Sequence, residues 1–263
     1  LPSIADPDSI RAMKVAVAGG TGVVGRHVVE QLAAAGHDPL VLARATGVDL
    51  LTADGLAERL VGVDAVIDTT SVATTAKKAA VSFFTTTTRH LLEAGAAAGV
   101  GHHLLLSIVG IDEIPFGYYV GKVAQERLVE QGPVPWSIVR APQFHEFAEQ
   151  MIERASVGPV TIVPGMRSAT MAAAEVAAVV VEVATGAPQG RVRDLRGPET
   201  AEMSDLVGKV VAQRGERRRV MRARVPGKAG RLMASGALVA ADPATVGTQT
   251  FDAWLAGRAG AGS

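Results

Sequence analysis

Residues 13–44, MKVAVAGGTGVVGRHVVEQLAAAGHDPLVLAR, confine the chain to very few folds. A short β-branched run at residues 14–18 stops abruptly at Gly19-Gly20-Thr21-Gly22. Residues 23–35 then carry Val24, Val28, Leu32 and Ala35 at helical spacing, and Gly36 suits the position after a helix end. His37-Asp38-Pro39 reads as a turn and residues 40–43 as a second strand. Strand, glycine turn, helix and strand in that order begin a parallel sheet.

The turn has a specific use. Glycines let a backbone approach a pyrophosphate closely, and the free N–H groups of a helix starting near Val23 point at its charge. Two registers fit: Gly20, Gly22 and Gly25, or Gly19, Gly22 and Gly25. A dinucleotide is therefore expected on Gly19, Thr21, Gly22, Val23, Val24 and Gly25. An acidic residue at the end of the second strand would hold a ribose 2′-OH, whereas an arginine accommodates a 2′-phosphate. That strand ends in Arg44 with no acidic neighbour, which favours NADP(H) over NAD(H).

The remaining chain continues the alternation. Residues 48–51 read as a brief third strand before Asp54, and residues 65–67 as a strand ending in Asp68-Thr69-Thr70-Ser71. A long helix is expected at 77–98, a buried fifth strand at 104–106 ending in Ser107, a helix at 118–130 and a sixth strand at 136–140. Such alternation predicts a Rossmann-type, doubly wound parallel α/β sheet with helices on both faces. Further on, an extended segment is expected at 160–163, a late strand at 192–195, and helices at 172–184, 203–212, 228–238 and 247–256. The domain reading is a disordered arm at 1–11, a dinucleotide-binding domain at 12–150 and a small, mostly helical substrate-binding region at 151–263, not fully independent of it. The arginine-rich run at 214–224 reads as a solvated face.

Composition narrows the partners. Of 263 residues 48% are hydrophobic, enough for a sizeable core, and 26 basic against 26 acidic side chains argue for no nucleic-acid or membrane-surface partner. The chain contains neither cysteine nor asparagine, so thiolate chemistry and any site needing an asparagine are excluded. No apolar stretch is long enough to span a membrane, and the first residues lack a leader pattern, so the expected location is cytoplasmic. His27, His37 and His90 are scattered, His102 and His103 are expected at the surface on the opposite sheet edge, and no metal site is expected.

In open α/β sheets, ligands lie beyond the carboxyl ends of the strands. The glycine turn, Arg44, Asp54, Thr69, Thr70, Ser71, Ser107, Pro142 and Gln143 all fall there. Tyr118 and Lys122, at i and i+4, share one helical face, and Ser107 stands eleven residues earlier. A tyrosine pKa near ~10 is too high for efficient acid–base work, and a nearby ammonium would lower it. A serine hydroxyl would bind the substrate oxygen. This set suits proton exchange with a carbonyl oxygen while a nicotinamide moves hydride.

With GGTGVVG, Asp54, Ser107, Tyr118-x-x-x-Lys122 and Arg140-Ala141-Pro142, the chain resembles the short-chain dehydrogenase/reductase superfamily. The phrases YYVGKVAQERLVEQ, WSIVRAPQF and DLRGPE are similar to its atypical NmrA-like branch, across nearly all of residues 13–258. The resemblance implies that Asp54 bonds the adenine and that Thr69, Thr70 and Ser71 line the ribose and nicotinamide approach. It implies that Lys122 holds the nicotinamide ribose, with Ser107 and Tyr118 as the carbonyl-binding and proton-donating pair. Pro142, Gln143 and Phe144 would flank the nicotinamide, with His145 and Phe147 facing substrate. The family's asparagine motif after the fourth strand and its catalytic asparagine are absent; Asp68-Thr69-Thr70-Ser71 occupies the first position.

The expected activity is NADPH-dependent reduction of a carbonyl or quinone in a small, apolar substrate, by a monomer or homodimer. Met166, Met171, Met203, Met221 and Met233 either line that substrate's pocket or form core. The alternatives are an NADP(H)-binding redox sensor without turnover and an NAD-dependent epimerase or dehydratase. The serine, tyrosine and lysine favour chemistry; the missing asparagine favours sensing.

Overall fold

The computed structural model describes residues 11–242 and 244–260; the arm expected at 1–11 lies, except for Arg11, outside the described residues. β1 (Lys14–Ala18), α1 (Val23–Ala34) and β2 (Asp38–Leu42) form the opening unit, and β1 pairs in parallel with β2 and with β3 (Ala65–Asp68). Between β2 and β3 lies only the short α2 (Leu56–Arg59). α3 (Lys77–Ala98), β4 (His102–Ile108), α4 (Gly117–Glu130) and β5 (Trp136–Ala141) continue the alternation. The strands are apolar throughout because both faces are covered. Val15, Val17, Ile67 and Leu104 pack under α1, while Ala16, Ala18 and Val66 pack with Leu91 and Leu92 of α3.

After β5 come α5 (Phe147–Arg154), β6 (Ser156–Val157), β7 (Val160–Pro164), β8 (Arg167–Ser168) and α6 (Ala173–Thr185). Then follow β9 (Gly190–Arg191), β10 (Leu195–Arg196), β11 (Ala201–Glu202), α7 (Met203–Gln213), β12 (Arg219–Ala223), α8 (Gly227–Ser235), β13 (Thr245–Val246) and α9 (Phe251–Gly260). The main sheet runs β2-β1-β3-β4-β5-β9, parallel at every pairing. α6 lies beside α1 and β9 extends β5, so the chain returns to the main layer after residue 150. The other C-terminal elements bury Ile152, Val163, Met203, Leu206, Val210, Phe251 and Trp254 in a second core.

Several expectations are corrected. Residues 48–51 form no sheet strand: Asp49 and Asp54 make a single antiparallel bridge, and the chain turns back through Gly55, whose φ is +70°. β2 is therefore an edge strand, and the strands expected as fifth and sixth are β4 and β5. His102 and His103 are not at the surface, because β4 begins at His102 and is flanked by β3 and β5. Both are buried, His102 bonded through Nε2 to Ser137 Oγ at 2.8 Å. The arginine run at 214–224 holds β12, parallel to β7, and is a solvated face as expected: Arg214, Arg217, Arg219, Arg222 and Arg224 are exposed, with Arg214 paired to Glu149 at 3.1 Å and Arg218 to Glu216 at 2.9 Å. The late strand is displaced to β9 and β10, on either side of residues 192–194. α5 was not anticipated; its buried Ala148 and Ile152 stand four residues apart. Met166, Met171, Met203 and Met233 are core, while Met221 is exposed.

One ion cluster ties these pieces together. Arg140, at the end of β5, donates to Asp112 at 2.7 and 2.8 Å and to Glu126 of α4 at 2.9 and 2.6 Å. Arg191 of β9 reaches Glu126 at 2.9 Å and Glu130 at 2.7 Å. Burial alone would raise the Glu126 pKa, yet hydrogen bonds and charge from Arg140 hold it below the ordinary value. Arg140 lowers Asp112 in the same way.

Arg140→Met should cost about 3 kcal/mol in urea denaturation at neutral pH, the low end for a broken buried pair because Arg191 still faces Glu126. An acid with a depressed native pKa contributes stability that is complete above its unfolded value, near ~4.3 for Glu, and drains away as pH falls through the native value. Wild type should therefore lose more stability than Arg140→Met on acidification. Parallel losses would remove Arg140 as the cause of the shifts.

Candidate functional site

Because the main sheet is parallel, the loops after β1, β3, β4 and β5 share one edge, and strand order reverses at β1. A crevice therefore opens between the glycine turn and Thr69, Thr70 and Ser71. The turn is tight: Gly22 N donates to Gly19 O at 2.9 Å. Gly19 has φ +77°, and a Cβ there would stand 2.8 Å from Thr69 O; at Gly25 it would stand 2.1 Å from Gly19 O. A Cβ on Gly22 would meet only Gly19 O, at 3.1 Å. Gly19 and Gly25 are thus required by the turn, which selects the register Gly19, Gly22, Gly25. No side chain caps α1 at Gly22. The first-turn N–H groups, at Val23, Val24 and Gly25, are free for an anion, and the cradle fits a dinucleotide's diphosphate. Thr21 is exposed beside it.

Arg44 is exposed at the start of a single 3₁₀ turn after β2 and forms no ion pair among the described residues. Asp54 is exposed and accepts a hydrogen bond from Thr52 Oγ1 at 2.7 Å. Thr69 Oγ1 donates to Ala18 O at 2.8 Å, joining the ends of β1 and β3.

Beneath the crevice lies a polar network that the motif reading missed. Asp68, fully buried at the end of β3, accepts through Oδ1 from Thr70 N at 2.9 Å and Thr70 Oγ1 at 2.6 Å. Its Oδ2 accepts from Gln125 Nε2 at 2.9 Å and Thr88 Oγ1 at 3.3 Å. Gln125 Oε1 in turn accepts from Lys122 Nζ at 2.6 Å, and Lys122 also donates to Leu106 O at 2.8 Å. The lysine is buried with its ammonium over the Phe84 ring, 5.0 Å from the centroid. Burial lowers its pKa to about 8, against the charges of Asp68 and Glu126. His103, buried on the adjacent strand, is lowered to about 4 by the same loss of solvent. A sequence signal for this network existed: Gln125 follows Lys122 by three residues, on the same helical face.

Tyr118 lies half-buried against Phe84, edge to face at 5.3 Å, and its hydroxyl is 2.9 Å from Ser71 Oγ. Burial holds its pKa above the ordinary phenol value, while the Ser71 hydrogen bond and the charge of Arg154 oppose the shift. The expected lowering by Lys122 does not occur, because the ammonium points inward to Gln125 and Leu106. Ser107 and Tyr118 are not paired. Ser107 is buried beside Arg140 and Glu126, whose carboxylate it helps to hold ionised, and it makes no hydrogen bond to Tyr118. Ser71 is the hydroxyl that meets Tyr118.

Pro142 is buried at the end of β5, Gln143 O accepts from Met171 N at 3.2 Å, and Phe144 bridges to Met171. Phe147 packs with Tyr118 and Met151 against the second core. His145 is buried, bonded to Thr170 Oγ1 at 2.9 Å and Gln249 O at 3.1 Å, and burial lowers its pKa. It lines a cavity of about 320 Å³ with Glu199, Lys209 and Phe251, which Tyr118 does not line. His145 lines that cavity, whereas Phe147 does not and packs, as Tyr118 does, against the second core. Among the described residues no His, Asp and Glu side chains gather as a metal site, and no helix is long and apolar enough to cross a membrane.

A family model described as NAD(P)H-binding matches residues 19–186. No curated protein matches the chain. A short-chain dehydrogenase/reductase superfamily protein from Agrobacterium tumefaciens with bound NAD is 20% identical, with a TM-score of 0.65 over 94% of this chain and 96% of that one. An NADPH-dependent quinone oxidoreductase from Escherichia coli is 18% identical, with a TM-score of 0.64 over 93% and 99%. A nucleoside-diphosphate-sugar epimerase from Staphylococcus aureus is 15% identical, with a TM-score of 0.65 over 92% and 99%. At such identities the likeness establishes the fold.

The inward lysine has its own signature. In ¹³C-lysine NMR, one resonance, assigned by its loss in Lys122→Arg, should titrate at about 8. Below that pH the folded chain carries a buried ammonium; from there up to the unfolded value of ~10.4 the unfolded chain binds more protons, so this group's contribution to stability rises with pH. Titration at the ordinary lysine value would place Nζ in solvent and refute the network.

Proposed function

Because the chain belongs to the NAD(P)H-binding family and has the short-chain dehydrogenase/reductase fold, we propose that it is an NADPH-dependent reductase of small, apolar carbonyl or quinone compounds. The observation that carries this reading is the neutral phenol of Tyr118, bonded to Ser71 at the mouth of the glycine-turn crevice. Bound NADPH would supply the hydride. The turn and the first N–H groups of α1 would hold the diphosphate, and the exposed Arg44 would hold the 2′-phosphate. Phe147 and Met151 present an apolar wall beside Tyr118, which suits an uncharged substrate. Tyr118 then donates its proton to the oxygen that gains charge as hydride arrives at carbon.

The direction of the Tyr118 shift favours this reading over epimerisation. Epimerisation of a sugar nucleotide begins with removal of a hydroxyl proton, which needs a phenolate at neutral pH. A phenol held above its ordinary pKa is a poor base, but it remains protonated as a donor. A redox sensor would share the crevice and bind NADPH without consuming it.

Three variants test the assignment by fluorescence titration and NADPH oxidation with a carbonyl and quinone panel. Gly22→Asp, whose Cβ meets only Gly19 O at 3.1 Å and needs a shift of a few tenths of an ångström, should fold, as circular dichroism would show, and lose NADPH binding by like-charge repulsion. Arg44→Ala should weaken NADPH by about 1.5–3 kcal/mol, the range for a charged hydrogen bond, and leave NADH nearly unchanged. Tyr118→Phe should keep binding and lose roughly 10²–10⁴ in carbonyl turnover. Tight binding with no oxidation by wild type across the panel would overturn the reductase in favour of the sensor.

A further inference from the structure

Resting on the reductase reading, we infer that Ser71 is the proton relay of this site, carrying protons from solvent to Tyr118 in place of a lysine-mediated route. Three observations meet at Ser71. Its hydroxyl lies 2.9 Å from Tyr118 Oη, the one hydrogen bond of that phenol among the described residues. Ser71 is exposed, so its other side is open to water at the crevice. The residues before it are fixed: Thr69 is tied to Ala18 O, and Thr70 gives both its N–H and its hydroxyl to Asp68. The loop is therefore preorganised to present Ser71 to Tyr118, and no ordering has to accompany each turnover.

Lys122 has no such path. Its ammonium is buried, and two of its three donors are given to Leu106 O and Gln125 Oε1. Gln125 is itself committed to Asp68 and Thr88. Ser107 is buried beside Glu126 and makes no hydrogen bond to Tyr118. Among the described residues, Ser71 is the one hydroxyl that both bonds the phenol and is exposed to solvent.

The step balances. Hydride from NADPH forms the C–H bond at the carbonyl carbon, and the C=O π pair moves to oxygen. That oxygen takes the proton of Tyr118 Oη, giving the alcohol and a phenolate. The phenolate takes the proton of Ser71 Oγ, which takes one from water in the same motion. The net reaction consumes one NADPH and one solvent proton.

A relay predicts a kinetic pattern that a structural serine does not. In stopped flow, Ser71→Ala should consume one equivalent of NADPH per enzyme at close to the wild-type rate, spending the proton already on Tyr118. Later turnovers should slow by at least about tenfold, within the usual worth of proton transfer, and Ser71→Thr should restore them. A second readout needs no turnover. With 3,5-difluorotyrosine at residue 118 in a Tyr119→Phe background, ¹⁹F NMR should show the phenol titrating at higher pH in Ser71→Ala and returning in Ser71→Thr. A first turnover as slow as the later ones, wild-type turnover in Ser71→Ala, or an unmoved titration would overturn the relay. An idle wild type would instead overturn the reductase reading, an outcome distinct from an active wild type indifferent to Ser71.

Discussion

A carboxylate with no access to solvent must be answered by hydrogen bonds, because burying it alone would cost far more than a protein of this size can spare. Asp68 is that carboxylate, and much of the crevice follows from answering it. Thr70 supplies two donors and thereby shapes the loop after β3. Gln125 and Thr88 supply the others, which fixes α4 against α3. Gln125 then has its carbonyl oxygen left over, and Lys122 turns inward to meet it.

The consequences for chemistry come through that turn of the lysine. An ammonium facing the cleft would pull the phenol toward ionisation; an ammonium facing Gln125 leaves the phenol to its own burial. Burial keeps the Tyr118 phenol protonated at neutral pH, and its partner is a hydroxyl from a different loop. The Arg140 cluster has the complementary task. It joins β5, α4, β9 and the loop after β4, so the helix bearing Tyr118 is braced from the side away from the glycine turn.

The second core sets the boundary of the site. Phe147 and Met151 of α5 pack against it, as Tyr118 does, while His145, just before α5, lines a cavity that Phe147 and Tyr118 do not. Adjacent positions such as 145 and 147 therefore serve different spaces. A motif carries such residues together, whereas packing of α9 around His145 separates them.

Some of this was legible in residues alone. The parallel sheet, the glycine cradle and the helix carrying Tyr118 and Lys122 follow from local periodicity and from the steric need for glycine at Gly19 and Gly25, which neighbouring residues impose. The long helix at 77–98 was legible despite Thr85, Thr86, Thr87 and Thr88, because Thr85 and Thr87 bond back to carbonyls four residues earlier. What the sequence could not decide depends on groups distant along the chain. Residues 48–51 looked like a strand, but a strand exists only where a neighbour pairs with it. His102 and His103 looked like surface residues, but β3 and β5 enclose them. Ser107 was the partner expected for Tyr118, with Lys122 beside the phenol, but Ser71 meets the hydroxyl and Lys122 turns inward. Those choices were made by Asp68, Gln125 and Glu126, whose positions relative to one another arise only when β3, β4 and α4 pack together, because hydrogen bonds and desolvation act through space and not along the chain.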